Sequence, residues 1–224
     1  MTPPAIVEAA VREGLDMLAI CDHNAASNAA AVQEAAQSAA VTVIAGMEVT
    51  TEEEVHLLGL FPNADAACAA ADDVRATLPP WTARARRFGR QLLMDARGNV
   101  VGRDRKLLST ASGLELHEAV DVIKRHGGLA IASHVDRPSF SVMSQLGLFP
   151  TDAAFDAIEI STAGLENGRD AEFAPLGLPM VTSSDSHFLS EIGASRTFVN
   201  MEMAGFCELA LALQGTGGRS CTLA

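Results

Sequence analysis

The chain has 224 residues, of which 48% are hydrophobic and 20% are charged, and its formal net charge is −12. This composition predicts a globular protein with one sizeable core, and no apolar run approaches the roughly 18 residues that a membrane span needs. The acidic balance argues against a general nucleic-acid surface and against a stable duplex partner. The N-terminus lacks a signal-peptide pattern and the four cysteines lack metal-site spacing, so we expect a cytoplasmic protein with reduced thiols.

The first part of the chain alternates predicted helices with short apolar strands. In order these are a helix over 2–14, a strand over 15–21, a helix over 27–40, strands over 41–45 and 55–61, and a helix over 64–78. Ser27 can cap the second helix. Asp22 and His23 follow the first strand, and Glu48 comes soon after the second. His56 lies near the beginning of the third strand, as it would if that strand ran antiparallel or if the following loop folded back.

Residues 79–112 are the least regular part of the chain, and we interpret them as an insertion over the sheet end. They begin with Pro79-Pro80 and a basic cluster, and residues 91–95 and 99–102 predict a hairpin. The spacing of Ser112 and Glu115 is that of a capping box, which predicts that a helix begins there.

The last part of the chain continues the same alternation. It predicts strands over 129–132, 157–160, 179–181 and 196–200, helices over 170–177 and 205–214, and a frayed tail over 215–224. His134 follows the first of these strands, while Asp185 and His187 follow the strand over 179–181. If that strand persists to its tip, the two side chains point to the same side. We therefore expect one domain over 1–224.

Titratable side chains follow several of these strands, and this is the pattern that indicates function. In a largely parallel sheet, the carboxyl ends of the strands lie together and form the functional edge. Imidazole and carboxylate ligands suit zinc, manganese or iron, and several of them indicate more than one ion. Any one such residue is also explained by turn chemistry or a satisfied core histidine. The residues that meet this edge are Asp22, His23, Glu48, His56, His134, Asp185 and His187.

These motifs resemble the polymerase and histidinol phosphatase (PHP) family of metal-dependent phosphoesterases. The similarity runs from Thr2 to about Val199 through the motifs around Asp22-His23, Gly46-Met47-Glu48, His56, Ser133-His134 and Asp185-Ser186-His187. The resemblance implies a distorted, TIM-like (β/α)7 barrel with two or three divalent ions (Zn, Mn or Fe) at the strand ends. It implies metal ligation by His23, Glu48, His56, His134, Asp185 and His187. Glu48 would bridge two ions, and Asp22 would support catalysis without ligating.

One departure from the family pattern is that no His-x-His occurs anywhere in the chain. In the family this motif lies on the first barrel strand, so we expect that strand to be missing. The edge left open would be unpaired, and association of copies through it is a hypothesis. A start codon placed too late would explain the departure, and so would a truncated form.

Four arginines are candidates for binding a phosphate group, because a guanidinium binds phosphate through two hydrogen bonds. Arg137, three residues after His134, is also the candidate for a catalytic role, and Arg196 follows the Asp-x-His loop. Arg84 and Arg87 belong to the insertion, and the alternative to phosphate binding is that its basic cluster forms a solvated surface. The candidates are Arg137, Arg196, Arg84 and Arg87.

The leading interpretation is a hydrolase that cleaves a phosphomonoester, a nucleotide or a short oligonucleotide with metal-activated water. A second interpretation is a non-catalytic or truncated metal- or nucleotide-binding module, which the absent His-x-His favours. A third is a metal-dependent amide or ring hydrolase. That class normally uses a carboxylated lysine at a strand end, whereas Lys106 and Lys124 are the only lysines and neither is so placed.

Overall fold

The computed structural model describes residues 1–81 and 89–223. The helices are α1 (Pro3–Arg12), α2 (Ala29–Ala35), α3 (Ala64–Thr77), α4 (Leu116–Arg125), α5 (Val142–Leu146), α6 (Thr162–Glu166), α7 (Asp170–Phe173) and α8 (Phe206–Leu213). The strands are β1 (Met17–His23), β2 (Thr42–Thr50), β3 (His56–Phe61), β4 (Leu92–Met94), β5 (Val100–Arg103), β6 (Leu129–Ala132), β7 (Ala157–Glu159), β8 (Met180–Val181), β9 (Thr197–Asn200) and β10 (Ser220–Leu223). None of the described helices is both long and apolar enough to span a membrane.

Six strands form one sheet in the order β1-β2-β3-β6-β7-β8, which curls into a half-barrel. β1 and β2 pair in parallel, as do β6 with β7 and β7 with β8. β3 is antiparallel to both of its neighbours, which is one of the two explanations for the position of His56. The fold is therefore mixed α/β, while the full (β/α)7 count stays a prediction.

The two faces of the sheet pack against different helices, because successive side chains of a strand point to opposite sides. On the outer face, residues such as Val43 and Phe61 pack in one buried cluster with α1 to α4. On the inner face, Ile44, Leu60 and Ile131 pack in a second cluster with α8. The parity of a residue, meaning whether it stands at an odd or an even position along its strand, therefore decides on which face of the sheet its side chain lies.

β1 lies at the end of the sheet, and among the described strands it pairs only with β2. Beside it is a cavity of about 850 Å³, lined by β1, the inner face of the sheet and the segment that follows β8. This cavity reaches Glu48 and Asp185. The open side of the sheet therefore leads to the edge where the titratable residues lie.

The insertion contains the predicted hairpin, in which β4 and β5 pair antiparallel. The segment that follows this hairpin is fixed to the sheet by Asn24, whose side-chain amide donates to the carbonyls of Leu108 and Thr110. The Asn24 side-chain oxygen accepts from the backbone N–H of Thr50 in β2. One buried amide thus ties β1, β2 and the insertion together.

Three predictions about helix and strand ends are wrong. The capping box of α4 is formed by Glu115 and Glu118, not Ser112, and the N–H of Glu115 donates to the Glu118 carboxylate at 3.0 Å. The helix expected over 27–40 is only Ala29–Ala35, with Asn28 rather than Ser27 at its N-cap. The tail expected to be frayed forms β10, because its backbone groups find partners on β9.

Candidate metal centre

Alternation along the strands brings His23, Glu48 and His56 to one end of the inner face. Glu48 has the parity of Ile44 in β2, and His56 has the parity of Leu60 in β3. His23 pairs directly with Glu48 across the β1–β2 ladder. Because β3 is antiparallel, its first residue lies at the same end of the sheet as the last residues of β2.

Glu48 is the centre of the cluster and is 5% exposed. Its Oε1 lies 2.9 Å from His56 Nδ1, and its Oε2 lies 3.2 Å from His23 Nδ1. Burial alone would raise the pKa of Glu48, but the facing imidazoles of His134 and His56 outweigh it and hold this pKa well below its usual range. The carboxylate is therefore charged, as a metal ligand must be.

His134 joins the cluster through a turn and not through strand parity. β6 ends at Ala132, and a residue two positions later would point to the outer face if the strand continued. The backbone at His134 instead adopts a φ of 30°, a conformation that is uncommon for residues other than glycine. This turn directs the imidazole inward, where Nε2 lies 3.7 Å from Glu48 Oε1.

The donor set fits a divalent metal ion. Glu48, His56 and His134 each offer one ligand atom, and these atoms all lie within 4.8 Å of one another. His134 is 2% exposed, and its Nδ1 has no hydrogen-bond partner among the described residues. Its Nε2 is too far from Glu48 for a hydrogen bond. Buried polar groups are rarely left unpaired, and two imidazoles with one carboxylate suit zinc, manganese or iron.

Asp185 and His187 lie in a loop, because β8 ends at Val181. Asp185 has a φ of 46° and accepts a hydrogen bond of 2.6 Å from Arg137. The ring centroids of His187 and His23 are 6.0 Å apart, which brings this loop to the cluster. The predicted strand-tip arrangement is thus replaced by a turn, with Arg137 already paired to one predicted ligand.

Glu159, which was not predicted as a site residue, ends β7 and lies on the inner face of the sheet like Ala157, two positions before it. Its carboxylate accepts hydrogen bonds from the backbone N–H of His134 and from the hydroxyl of Ser183. Burial raises the pKa of Glu159, and these contacts only partly offset that effect. Its position at the end of a buried strand was the available signal. Glu159 links the turn of His134 to the loop of Asp185.

The remaining predicted residues have other surroundings. Asp22 has the outer-face parity, and its carboxylate accepts from Asn28, which also contacts the hairpin. Burial raises the pKa of Asp22, against the opposing effect of this hydrogen bond. Arg196 donates to the carbonyls of Glu13 and Gly193. Arg84 and Arg87 lie outside the described residues.

Comparison with known proteins relates this chain to longer proteins. The Bacillus subtilis protein YqxK is 26% identical over 220 residues, which cover 96% of this chain and 55% of YqxK. The lesion-specific endonuclease PfuEndoQ from Pyrococcus furiosus has a similar fold, with a TM-score of 0.68, 18% identity, and coverage of 99% of this chain and 53% of that one. The chain therefore spans about half the length of these relatives.

Another protein with a similar fold is a two-domain protein from Bacteroides vulgatus that contains a predicted PHP-like metal-dependent phosphoesterase. Its TM-score is 0.54 at 14% identity, and the match covers 100% of this chain and 60% of that one. The family model for the PHP domain matches residues 1–126, and a PHP-associated model matches residues 164–214. The first match alone covers more than half of the sequence, and the chain belongs to the PHP domain family.

Proposed function

We propose that this chain is a metal-dependent phosphoesterase that hydrolyses a phosphomonoester, a nucleotide or a short oligonucleotide. The observation that carries the proposal is the buried cluster of Glu48, His56 and His134, in which one imidazole nitrogen has no partner among the described residues. If the histidines had only a structural role, we would expect their ring nitrogens to be hydrogen-bonded, whereas a metal ion binds ring nitrogens that have no hydrogen-bond partner. PfuEndoQ, an endonuclease, and the Bacteroides vulgatus protein with its PHP-like phosphoesterase share this fold, which supports the same class of reaction.

The chain's own residues are proposed to have three roles: to bind the metal ions, to position the residues that bind them, and to bind the substrate. Two or three ions, when bound, would activate water and neutralise the charge of the transferring phosphoryl group. Glu159 keeps the turn of His134 in place, and Asp22 supports the strand that carries His23. The ions would be held by His23, Glu48, His56, His134, Asp185 and His187.

Arg137 is the residue best placed to bind the phosphate of the substrate. It lies on the turn that follows His134, and one of its nitrogens is anchored by Asp185 at 2.6 Å. A guanidinium has five N–H donors in a fixed plane, so this anchor leaves others for a phosphate oxygen. Arg137 is therefore proposed to orient the substrate, and Arg196, Arg84 and Arg87 to contribute more weakly.

The proposed substrate is small, because the net charge of −12 disfavours a long polyanion. PfuEndoQ is a lesion-specific endonuclease, but this chain covers only 53% of it. DNA cleavage by this chain is nevertheless a second candidate function, because its fold is similar to that of this endonuclease. A cytoplasmic location is also proposed. The four cysteines are free, as thiols usually are in that compartment.

Hydrolysis of phosphate esters with and without added Mn²⁺ or Zn²⁺ tests this proposal. The wild-type chain should release phosphate only with metal, and Glu48→Ala should abolish that activity. Glu52→Ala is the matched control, because Glu52 is an exposed carboxylate a few residues away. Its activity should stay within about twofold of wild type, as surface substitutions usually do little. Equal activity of wild type and Glu48→Ala would refute the proposal.

A further inference from the structure

The turn that carries His134 and Arg137 also carries an exposed aromatic ring, Phe140. Its side chain is stacked on His56, with ring centroids 4.7 Å apart and an interplanar angle of 19°. Phe140 is nevertheless 41% exposed. Since His56 covers one face of this ring, the exposed surface lies on the opposite face and the edge.

Phe140 is held in an unfavourable backbone conformation. Its φ is 56°, which is an outlier for a bulky residue, and such strain persists only where the surroundings enforce it. The Phe140 carbonyl accepts from the N–H of His56 at 2.9 Å. Ser141 fixes the same turn by donating to the carbonyl of Arg137 at 2.7 Å. The ring is thus presented by a rigid turn.

The chain's use of its other aromatic residues makes this placement informative. It has nine Phe, one Trp and no Tyr; Phe61, Phe155 and Phe173 are buried in the core, whereas Phe140, Phe188 and Phe198 are exposed. Among the exposed phenylalanines that the structure describes, Phe140 is the one whose ring stacks on a histidine of the metal cluster. An exposed aromatic face on the same turn as the guanidinium of Arg137 offers the two groups that bind a flat heterocycle linked to a phosphate.

We infer that Phe140 is a stacking surface for the base of a nucleotide substrate, and this rests on the function proposed above. In a nucleotide, a sugar separates the base from the phosphate, and in the structure Phe140 and Glu48 contact the same imidazole, that of His56. Arg137 would hold the phosphate and Phe140 the base. Phe140 therefore determines specificity for base-bearing phosphate esters over phosphorylated sugars.

The test compares AMP with ribose 5-phosphate, which share the phosphorylated sugar and differ in the base. Stacking on an aromatic side chain contributes enough binding for Phe140→Leu to reduce kcat/KM for AMP roughly tenfold more than for ribose 5-phosphate. Phe140→Trp should restore the wild-type preference, because it supplies a larger ring. An equal reduction for both substrates would overturn the inference, since a ring that only shields His56 affects both alike.

Failure of the proposed function is separately visible in this experiment. If wild type hydrolyses neither ester with Mn²⁺ or Zn²⁺, the phosphoesterase proposal fails on these esters. Calorimetric binding of AMP and of ribose 5-phosphate then still tests the stacking surface. Tighter binding of AMP by wild type, reduced in Phe140→Leu, supports it. Equal affinities of wild type for the two ligands, or a preference unchanged in Phe140→Leu, overturn it.

Discussion

The carboxylate of Glu48 lies 2.9 Å from Nδ1 of His56, although eight positions separate the two residues in sequence and they lie on antiparallel strands. The reversal of β3 brings its first residue beside the last residues of β2. A carboxylate and an imidazole are thereby fixed by the sheet itself. Side chains held on strands are positioned more rigidly than those on loops, which suits a metal centre.

His134→Ala should weaken metal binding more than tenfold, because it removes the imidazole whose nitrogens have no other strong partner among the described residues. The measurement is titration calorimetry of the metal-free protein with Zn²⁺ or Mn²⁺. His117→Ala serves as the control, since His117 lies on the exposed side of α4. Unchanged affinity in His134→Ala would exclude this residue as a ligand.

Glu159→Gln should lower metal affinity about tenfold, the size of effect typical for residues that orient ligands. The N–H of His134 and the hydroxyl of Ser183 donate to different oxygens of Glu159, and the NH2 group of Gln cannot accept, so one of the two hydrogen bonds loses its acceptor. Metal titration again provides the measurement, with Glu166→Gln on the surface as control. If the variant binds metal as wild type does, Glu159 has no positioning role.

Arg137→Gln should reduce kcat/KM for a phosphate ester by roughly thirtyfold, which corresponds to about 2 kcal/mol for a charge-assisted hydrogen bond. Steady-state kinetics at saturating metal measures the change. Arg125→Gln, on the exposed end of α4, should leave the kinetics near wild type. Equal kinetics for both variants would remove Arg137 from the substrate site.

Gly46→Ala should destabilise the fold by about 1–3 kcal/mol through overcrowding. A Cβ at this position would lie 2.8 Å from Cys21 Sγ and 2.8 Å from the Gly59 carbonyl oxygen, which is too close for either contact. Urea denaturation of the metal-free chain measures the free energy of unfolding. Gly205→Ala is the control, because no atom lies within 4 Å of the Cβ it would add. Equal stability of the two variants would contradict the packing described here.

Much of this architecture could be predicted from periodicity and from residues at strand ends. Parity along β1, β2 and β3 explains why His23, Glu48 and His56 meet while Asp22 points away. The positions of His134 and Asp185 depend on positive φ angles, which side-chain alternation does not encode. Glu159 and Phe140 were overlooked because each is ordinary in sequence and acquires significance only through contacts with distant residues.

The most direct test of the metal centre is the metal content of the chain purified without chelator. The wild-type chain should contain bound zinc, manganese or iron, and the double variant His134→Ala/Asp185→Ala should lose most of it. The exposed-histidine control His117→Ala should retain the wild-type content. Equal metal content in wild type and the double variant, or no metal uptake by wild type even after incubation with Zn²⁺ or Mn²⁺, would contradict the account.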